Sequence, residues 1–461
     1  MSAPRLLAVA VVLDAALLAS VFGSAVAAQD RPNIVIMLAD DMGYGDLSCL
    51  GHPTIRTPEL DRMASEGMKI SQFYVGASVC TPSRAALLTG RYPIRSGLTH
   101  VFIPSSPGGM PEDEITLAEI LKQAGYATAC IGKWHLGARP EHLPLRHGFD
   151  YYFGIPYSND MSPETQPDNP LFKDAPPTPL IRDSTVTNPD REPDQSQLTK
   201  WYTEESIRFM RQHARQRPFL LYLAHTMPHV PLFASDKFRG RSPRGLYGDA
   251  VEELDWSAGQ ILRAVAELGI EQDTLVVFLS DNGPWLGKKQ DGGSSGPFYE
   301  GKVSTWEGGF RVPAIFRWKG QIPAGVTSTA FATTMDLFTT VVRVAGAEIP
   351  RDRAIDGEDL TPVLCHGAPG REPLMFYYAG DELWAVRKGP WKMHTKSMKP
   401  ASVEKWGNWP IEVHDPPLLY HVEVDPAERF NVAAAHPDVV KSLRAVFESH
   451  KASVQPGQPQ R

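Results

Sequence analysis

Cysteine is scarce in this chain of 461 residues: there are four, Cys49, Cys80, Cys130 and Cys365, with no C-x-x-C pair among them. That spacing indicates neither a disulfide scaffold nor a thiolate zinc site. Setting Cys80 aside leaves at most one disulfide and one thiol over, and the remaining cysteines read mostly as small buried apolar residues. Basic charge is short as well. Lys and Arg number 46 against 53 Asp and Glu, a formal net charge of −7. This argues against nucleic acid as a partner, since a phosphate-binding surface carries a basic excess. A small anionic ligand stays compatible, because a pocket can be positive on an acidic protein. Beyond the N-terminal segment no apolar run reaches membrane-spanning length. Internal repeats are absent, and a composition of 42% apolar and 21% charged residues does not read as disorder.

The N-terminus reads as a targeting segment. Arg5 precedes an apolar stretch from Leu6 to Val21, interrupted by Asp14, and Ala25-Val26-Ala27 has the small-x-small pattern of a cleavage site. Residues 1–28 are therefore expected to be a signal peptide, with export to a periplasmic, secreted or lysosome-like compartment. A stable membrane anchor is not expected of so short and charge-interrupted a run.

The rest is long enough for more than one core. Four runs, Asn33 to Ala39, Ala127 to Ile131, Phe219 to Ala224 and Thr274 to Ser280, are apolar without alternation, as strands covered on both faces are. Helical patterns lie between them at Pro58 to Glu66, Leu117 to Ala124, Glu204 to Gln216 and Gly248 to Leu268, and the alternation predicts a doubly wound α/β domain over residues 29–370. Ser162 to Asp194, rich in Pro, Asp and Asn, is expected to be a surface excursion that could line a pocket. From 371 to 461 the pattern changes to short strands at Leu374 to Tyr378, Trp384 to Lys388, Trp391 to His394 and Leu418 to His421, then a helix from Pro437 to Ser449. A small antiparallel sheet with a helix packed on it is expected there, ending in a frayed tail after Ser453. Nothing in the pattern specifies an oligomeric state.

In open α/β sheets ligands bind beyond the carboxyl ends of the strands. Here those ends carry Asp40-Asp41, then Lys133 and His135, then His225 and His229, then Asp281-Asn282. Asp40, Asp41, Asp281 and Asn282 are all oxygen donors, which suit Ca²⁺ or Mg²⁺ better than zinc. Either pair alone could simply cap a helix or open a turn. Adjacent carboxylates at a buried strand end repel each other, however, and a divalent cation relieves that. Lys133 and His135 are two apart, so an extended backbone points both to one side. His225 reads as a structural neighbour of His229, and Gln290 and Asp291 as part of a solvated loop ahead of Gly-Gly-Ser-Ser-Gly. In Val79-Cys80-Thr81-Pro82-Ser83-Arg84, Thr81 can cap a helix that starts at Pro82. Cys80 would then sit at a helix N-terminus, where anions bind and a thiolate is favoured, though a lone cysteine there is more often structural.

The run Cys80-Thr81-Pro82-Ser83-Arg84, continued by Leu88-Thr89-Gly90-Arg91, resembles the sulfatase signature C-x-P-S-R with its downstream T-G-R. The resemblance extends through Gly132-Lys133-Trp134-His135-Leu136-Gly137, Pro228-His229-Val230-Pro231, Asp281-Asn282-Gly283, and Gly301-Lys302 with Glu307-Gly308-Gly309. Gly154-Ile155-Pro156-Tyr157-Ser158 and Arg244-Gly245-Leu246-Tyr247-Gly248-Asp249 look most like the branch of arylsulfatase A and N-acetylgalactosamine-6-sulfatase. The resemblance implies an alkaline-phosphatase-like fold with a doubly wound, mostly parallel sheet and helices on both faces. It implies hydrolysis of sulfate monoesters, of aryl or carbohydrate type, through a formylglycine that a maturation enzyme makes from Cys80. By the same resemblance Asp40, Asp41, Asp281 and Asn282, with residue 80, hold the cation. Arg84 steadies the hydrated aldehyde, Lys133 and Lys302 face the sulfate, and Ser158 binds beside it. His229 or Lys302 protonates the leaving alcohol, and His135 deprotonates the second hydroxyl. Two other readings belong beside this one: a phosphate or phosphonate ester hydrolase of the same superfamily, and a non-catalytic binder of sulfated glycans.

Overall fold

In the computed structural model, residues 31–399 and 409–460 are described. The expected signal peptide lies outside them. The described residues contain no helix long and apolar enough to cross a membrane.

The larger sheet has ten strands: β1 (Asn33–Ala39), β2 (Met68–Tyr74), β3 (Ala127–Gly132), β4 (Tyr151–Gly154), β5 (Ile181–Arg182), β6 (Thr185–Val186), β7 (Phe219–Ala224), β8 (Thr274–Ser280), β9 (Ala314–Arg317) and β10 (Val326–Thr333). Their order is β10-β2-β9-β8-β1-β7-β3-β4-β5-β6. The central run β8-β1-β7-β3-β4 is parallel throughout, while β9 runs antiparallel to both neighbours. Every residue of β1, β3, β7 and β8 is buried. In β1, Ile34, Ile36 and Leu38 join one apolar core, whereas Val35, Met37 and Ala39 join the other. Two-sided burial thus produces the unbroken apolar runs, and helices cover both faces. On one side lie Cys80–Thr89, Leu117–Gln123 and Thr334–Val344; on the other lie Pro58–Ser65, Leu198–His213 and Leu246–Glu267.

Local chemistry starts and stops these helices. Thr116 Oγ1 accepts from Glu119 N at 3.1 Å while the Glu119 carboxylate accepts from Thr116 N at 2.7 Å, a reciprocal cap. Helix Cys80–Thr89 ends at Gly90, whose φ of 70° is left-handed; a Cβ there would sit 2.3 Å from the Phe338 ring. No side chain fits that exit.

The second sheet is antiparallel, in the order β11 (Leu374–Ala379), β12 (Glu382–Lys388), β13 (Trp391–Met398) and β14 (Ile411–His421), with helix Pro437–Ser453 following in the chain. Met375, Tyr377, Ala385, Met393, Leu419, Leu443 and Phe447 belong to the same apolar core as one face of the large sheet.

Several expectations need correction. Helix Cys80–Thr89 begins two residues earlier than the cap pattern implied: Val79 is its N-cap, and the Thr81 hydroxyl instead donates to the His135 carbonyl at 2.8 Å. The tail after Ser453 is docked, not frayed, since Gly457 N donates to Ile94 O at 2.8 Å and Gln460 N to Gly97 O at 3.0 Å. The surface excursion carries its own short hairpin, β5–β6, paired onto β4. His135, with φ of 58°, is left-handed, so it and Lys133 reach the same side through a turn and not through extended backbone.

Candidate active site

Strand ends deliver the acidic residues, Asn282 and Lys133, while a helix brings Cys80 and Arg84 and a loop brings Lys302. β1 stops where Asp40 N donates to Met227 O at 3.1 Å; β8 stops where Asp281 N donates to Ala39 O at 3.0 Å. β3 turns at Gly132, whose φ is 108° and where a Cβ would lie 1.8 Å from the Ala224 carbonyl. That close approach lets Lys133 N donate to Ala224 O at 2.7 Å and sends the lysine side chain over the sheet edge. Helix Cys80–Thr89 aims its first turn at the same place. Asp41, His135 and Val303 are all non-glycine residues with positive φ, of 64°, 58° and 79°. Such backbone is strained, most of all for a β-branched valine, and it clusters where side chains must be aimed.

The result is one buried constellation. Cys80 Sγ lies 3.6 Å from Asp40 Oδ1, 4.0 Å from Asp41 Oδ1 and 3.3 Å from Lys302 Nζ. Lys133 Nζ donates to Asp40 Oδ2 at 2.6 Å and Ser158 Oγ at 3.2 Å; Lys302 Nζ donates to Asp41 Oδ2 at 2.7 Å. Arg84 donates through Nε to Asp281 Oδ2 at 2.9 Å and through Nη1 to the Lys133 carbonyl at 2.7 Å. Asn282 Nδ2 donates to Asp41 Oδ1 at 2.7 Å, and His229 Nε2 is 3.5 Å from Asp41 Oδ2. All ten residues expected at the site, together with Ser158, are at most 3% exposed.

Electrostatics sort these groups by role. Burial pushes the Cys80 thiol up to about 12, despite the pull of Lys133 and Lys302. Desolvation opposes a thiolate here against the helix dipole and the two lysines. Burial would raise Asp40, but Lys133, His229, Arg84 and Lys302 together hold its carboxyl far below the usual range. Asp281 moves the other way, raised by burial and by Asp40, with Arg84 opposing. Burial would lower Lys302, yet Asp41 and its other neighbours keep it firmly protonated. His135 is lowered by burial and Lys133, and His229 by burial and Lys302.

The histidines have definite tautomers. His135 Nε2 is 2.9 Å from the Phe102 carbonyl, which only accepts, so Nε2 carries the hydrogen. Its Nδ1 is buried without a partner and bears the lone pair, as a base requires. His229 Nδ1 faces the Val230 carbonyl at 2.5 Å, leaving Nε2 to titrate. His225 plays no part: it contacts Ser257 Oγ at 3.3 Å and does not line the cavity.

The donor set fits a hard cation. Two overlapping groups of possible ligand atoms meet at Cys80 Sγ, each within 4.8 Å: oxygen atoms of Asp40 and Asp281 in one, an Asp41 oxygen and a His229 ring nitrogen in the other. Asn282 Oδ1 is buried with no hydrogen-bond partner, as an oxygen awaiting a cation would be.

Above Cys80 opens a cavity of about 620 Å³, reached by His135, Ser158, His229 and Lys302. Its walls hold residues that the sequence did not single out. Trp285 stands 5.9 Å from the His229 ring and 5.1 Å from Lys302 Nζ; Lys288 caps its face at 4.3 Å. Its signal was its place, four positions past Asp281 on a strand-end loop. Val101 and Ile103 form another wall, Met161 stands just before the excursion, and Gln166 and Phe172 show that the excursion does line the pocket. Gln290 and Asp291 are exposed and do not line it.

A sulfatase family profile matches residues 32–347, and a profile for the C-terminal region of aryl-sulfatase matches residues 370–461. This chain belongs to the sulfatase family. Mouse N-acetylgalactosamine-6-sulfatase is 42% identical, over 95% of this chain and 89% of the relative. Human arylsulfatase A is 41% identical, over 93% of this chain and 89% of the relative. Among solved structures, the PsFucS1 sulfatase from Pseudoalteromonas sp. superposes with a TM-score of 0.85 at 29% identity, covering 92% of this chain and 90% of that one. The sulfatase is thus an enzyme of sulfate ester hydrolysis with the alkaline-phosphatase-like fold.

Proposed function

We propose that this sulfatase hydrolyses sulfate monoesters of aryl or carbohydrate alcohols, glycolipids included, through a formylglycine made from Cys80 by a maturation enzyme. The observation that carries the reading is the placement of Cys80 Sγ at the cavity floor, with Asp40 at 3.6 Å and Lys302 at 3.3 Å. A neutral buried thiol is a poor nucleophile, whereas the hydrated aldehyde supplies one hydroxyl to attack sulfur and a second whose deprotonation releases sulfate from the resulting ester. One divalent cation, Ca²⁺ or Mg²⁺, would be held by Asp40, Asp41, Asp281, Asn282 and residue 80, and would supply acidity to a hydroxyl and draw charge from sulfate.

The protein's own groups do the rest. Arg84 fixes Asp281 and the Lys133 backbone, so the acidic rim and the lysine move as one unit. Lys302 and Ser158 present their polar atoms to the cavity where sulfate oxygens would lie, and Lys133 backs them by donating to Ser158 and Asp40, a preorganised positive setting. Lys302, held protonated, is the donor facing the leaving oxygen; His229 Nε2 donates only as the imidazolium, which burial and Lys302 oppose. His135 Nδ1, a lone pair without a partner, takes the proton from the second hydroxyl. Residues 1–28 are removed on export, 29–370 form the catalytic unit, and 371–461 form the C-terminal α+β unit.

Turnover of para-nitrophenyl sulfate, phosphate and phosphonate by matured protein tests the reading. The sulfate is expected to react fastest; faster phosphate or phosphonate turnover would assign the site to the other branch of the superfamily.

A further inference from the structure

Thr81 follows residue 80 directly, is fully buried, and has no share in the chemistry described above. A threonine at a helix start commonly spends its hydroxyl on a free backbone N–H of its own helix. Here Val79 is the N-cap, and the Thr81 hydroxyl serves two other segments instead. It donates to the His135 carbonyl at 2.8 Å and accepts from Phe102 N at 3.3 Å. The Phe102 carbonyl in turn accepts from His135 Nε2 at 2.9 Å. These three bonds close a ring: Thr81 holds the backbone of both partners, and Phe102 holds the imidazole.

The ring acts on a residue that needs holding. His135 has a left-handed φ of 58°, a conformation that persists in a side-chain-bearing residue only where its surroundings over-determine it. Two backbone bonds fix this turn: His135 N donates to Pro156 O at 3.1 Å, and the His135 carbonyl accepts from Thr81. With Phe102 engaging Nε2, the lone pair falls on Nδ1, which is buried without a partner. His135 and Cys80 both line the reaction cavity. One peptide unit and one hydrogen bond therefore set the distance between residue 80 and the base. A displacement of about 1 Å in such a pair can cost on the order of 10²-fold in rate.

We propose that Thr81 is a positioning residue for sulfate release, its hydroxyl aligning His135 Nδ1 on the second hydroxyl of hydrated residue 80. The inference rests on the proposed formylglycine reading. In the step it serves, the O–H bond of that hydroxyl breaks and its proton passes to Nδ1. The freed electron pair forms the aldehyde C=O, and the C–O bond to sulfate breaks with its pair leaving on sulfate. Attack on sulfur precedes this and does not use His135. Loss of the Thr81 hydroxyl therefore slows the second step and spares the first.

Para-nitrophenyl sulfate turnover by matured Thr81→Val and Thr81→Ser tests this, with the aldehyde at position 80 quantified by mass spectrometry and rates expressed per aldehyde. Thr81→Val removes the hydroxyl at nearly constant volume. Its kcat should fall by roughly 10-fold to 10²-fold and KM with it, so that kcat/KM, which reports the first step, stays within about twofold. Acid quench during turnover should show the peptide containing position 80 heavier by SO₃, the trapped sulfate ester. Thr81→Ser should restore kcat to within about threefold and leave no ester. Thr340→Val is the control for lost stability: its buried hydroxyl donates to Asp336 O and accepts from Leu360 N, both at 2.7 Å. It should lower the melting temperature without trapping the ester. An unchanged kcat in Thr81→Val, or equal losses of kcat and kcat/KM with no ester, would overturn the proposal. If the maturation enzyme does not convert the valine protein, the crystal structure of its thiol form decides. His135 Nε2 parted from the Phe102 carbonyl would support the role, and an unchanged contact would overturn it. Wild-type protein that turns over with its Cys80 thiol intact would contradict the formylglycine reading itself, and the proposal with it.

Discussion

Two buried ionic clusters in this sulfatase differ in a way that separates chemistry from architecture. Behind the catalytic loop, Lys392 Nζ lies 3.0 Å from both Glu307 Oε1 and Glu428 Oε1. His394 Nε2 is 2.8 Å from Glu428 Oε1, the Tyr74 hydroxyl donates to Glu307 Oε2 at 2.5 Å, and Glu307 N donates to Glu428 Oε2 at 2.7 Å. All four carboxylate oxygens have partners, and the cluster joins the catalytic loop to β13. Around Cys80 the charges are as deeply buried, Asn282 Oδ1 and His135 Nδ1 have no partner, and a cavity opens over Cys80, His135, His229 and Lys302. Both clusters satisfy their carboxylates, and His394 Nδ1 in the first is as unpartnered as His135 Nδ1 in the second, so what marks the second as a site is the cavity that opens on it.

The largest expected difference is at Cys80. Cys80→Ala should abolish turnover of para-nitrophenyl sulfate while the melting temperature stays within a few degrees, because the residue contributes chemistry and little core volume. Chelation sharpens the same contrast: dialysis against EDTA should remove activity, and Ca²⁺ or Mg²⁺ should restore it. Activity that survives exhaustive chelation would remove the cation from Asp40, Asp41, Asp281 and Asn282. Next comes Lys302→Ala, expected to lower kcat by on the order of 10²-fold with little change in KM, as for a group that acts on the transition state. A rise in KM alone would contradict that role.

Lys392→Met should do the reverse. Removing one partner of a buried ion pair costs about 3–5 kcal/mol, so thermal unfolding should shift sharply while kcat of the folded enzyme at low temperature is preserved. A selective loss of kcat would mean that the two clusters are one device. The smallest effect concerns pH. Burial would raise Glu307, but Lys392, Arg387 and Arg311 hold it down at about 2, from an ordinary 4.5. A carboxyl depressed on folding stabilises the protein above its unfolded pKa, and that stabilisation is lost as pH falls from about 4.5 toward 2. Melting temperature against pH should drop across that window, and less steeply in Lys392→Met.

The two clusters were not equally legible. The catalytic residues stand at ends of four apolar runs, so strand position and residue type together marked Asp40, Asp41, Lys133, His135, His229, Asp281 and Asn282, and the signature marked Cys80 and Arg84. Lys302 was visible only through the family motif, since it sits on a loop. Glu307, Lys392 and Glu428 are far apart in the chain, and no local pattern announces that β13 delivers a lysine to a glutamate 85 residues earlier. The fold followed the same logic. Strands buried on both faces read clearly, but β2, β9 and β10 did not, because β2 and β10 mix polar with apolar residues and β9 is four residues long. A helix N-terminus at Cys80 is visible in the sequence, while the desolvation that opposes a thiolate there depends on the packed structure.

The central claim is that residue 80 acts only after its sulfur is lost. Mass spectrometry of the peptide containing position 80, on protein from a host with the maturation enzyme and alongside its turnover of para-nitrophenyl sulfate, tests this most directly. The account predicts an aldehyde at position 80 in proportion to activity across preparations. Full activity in protein whose Cys80 thiol is intact would contradict it.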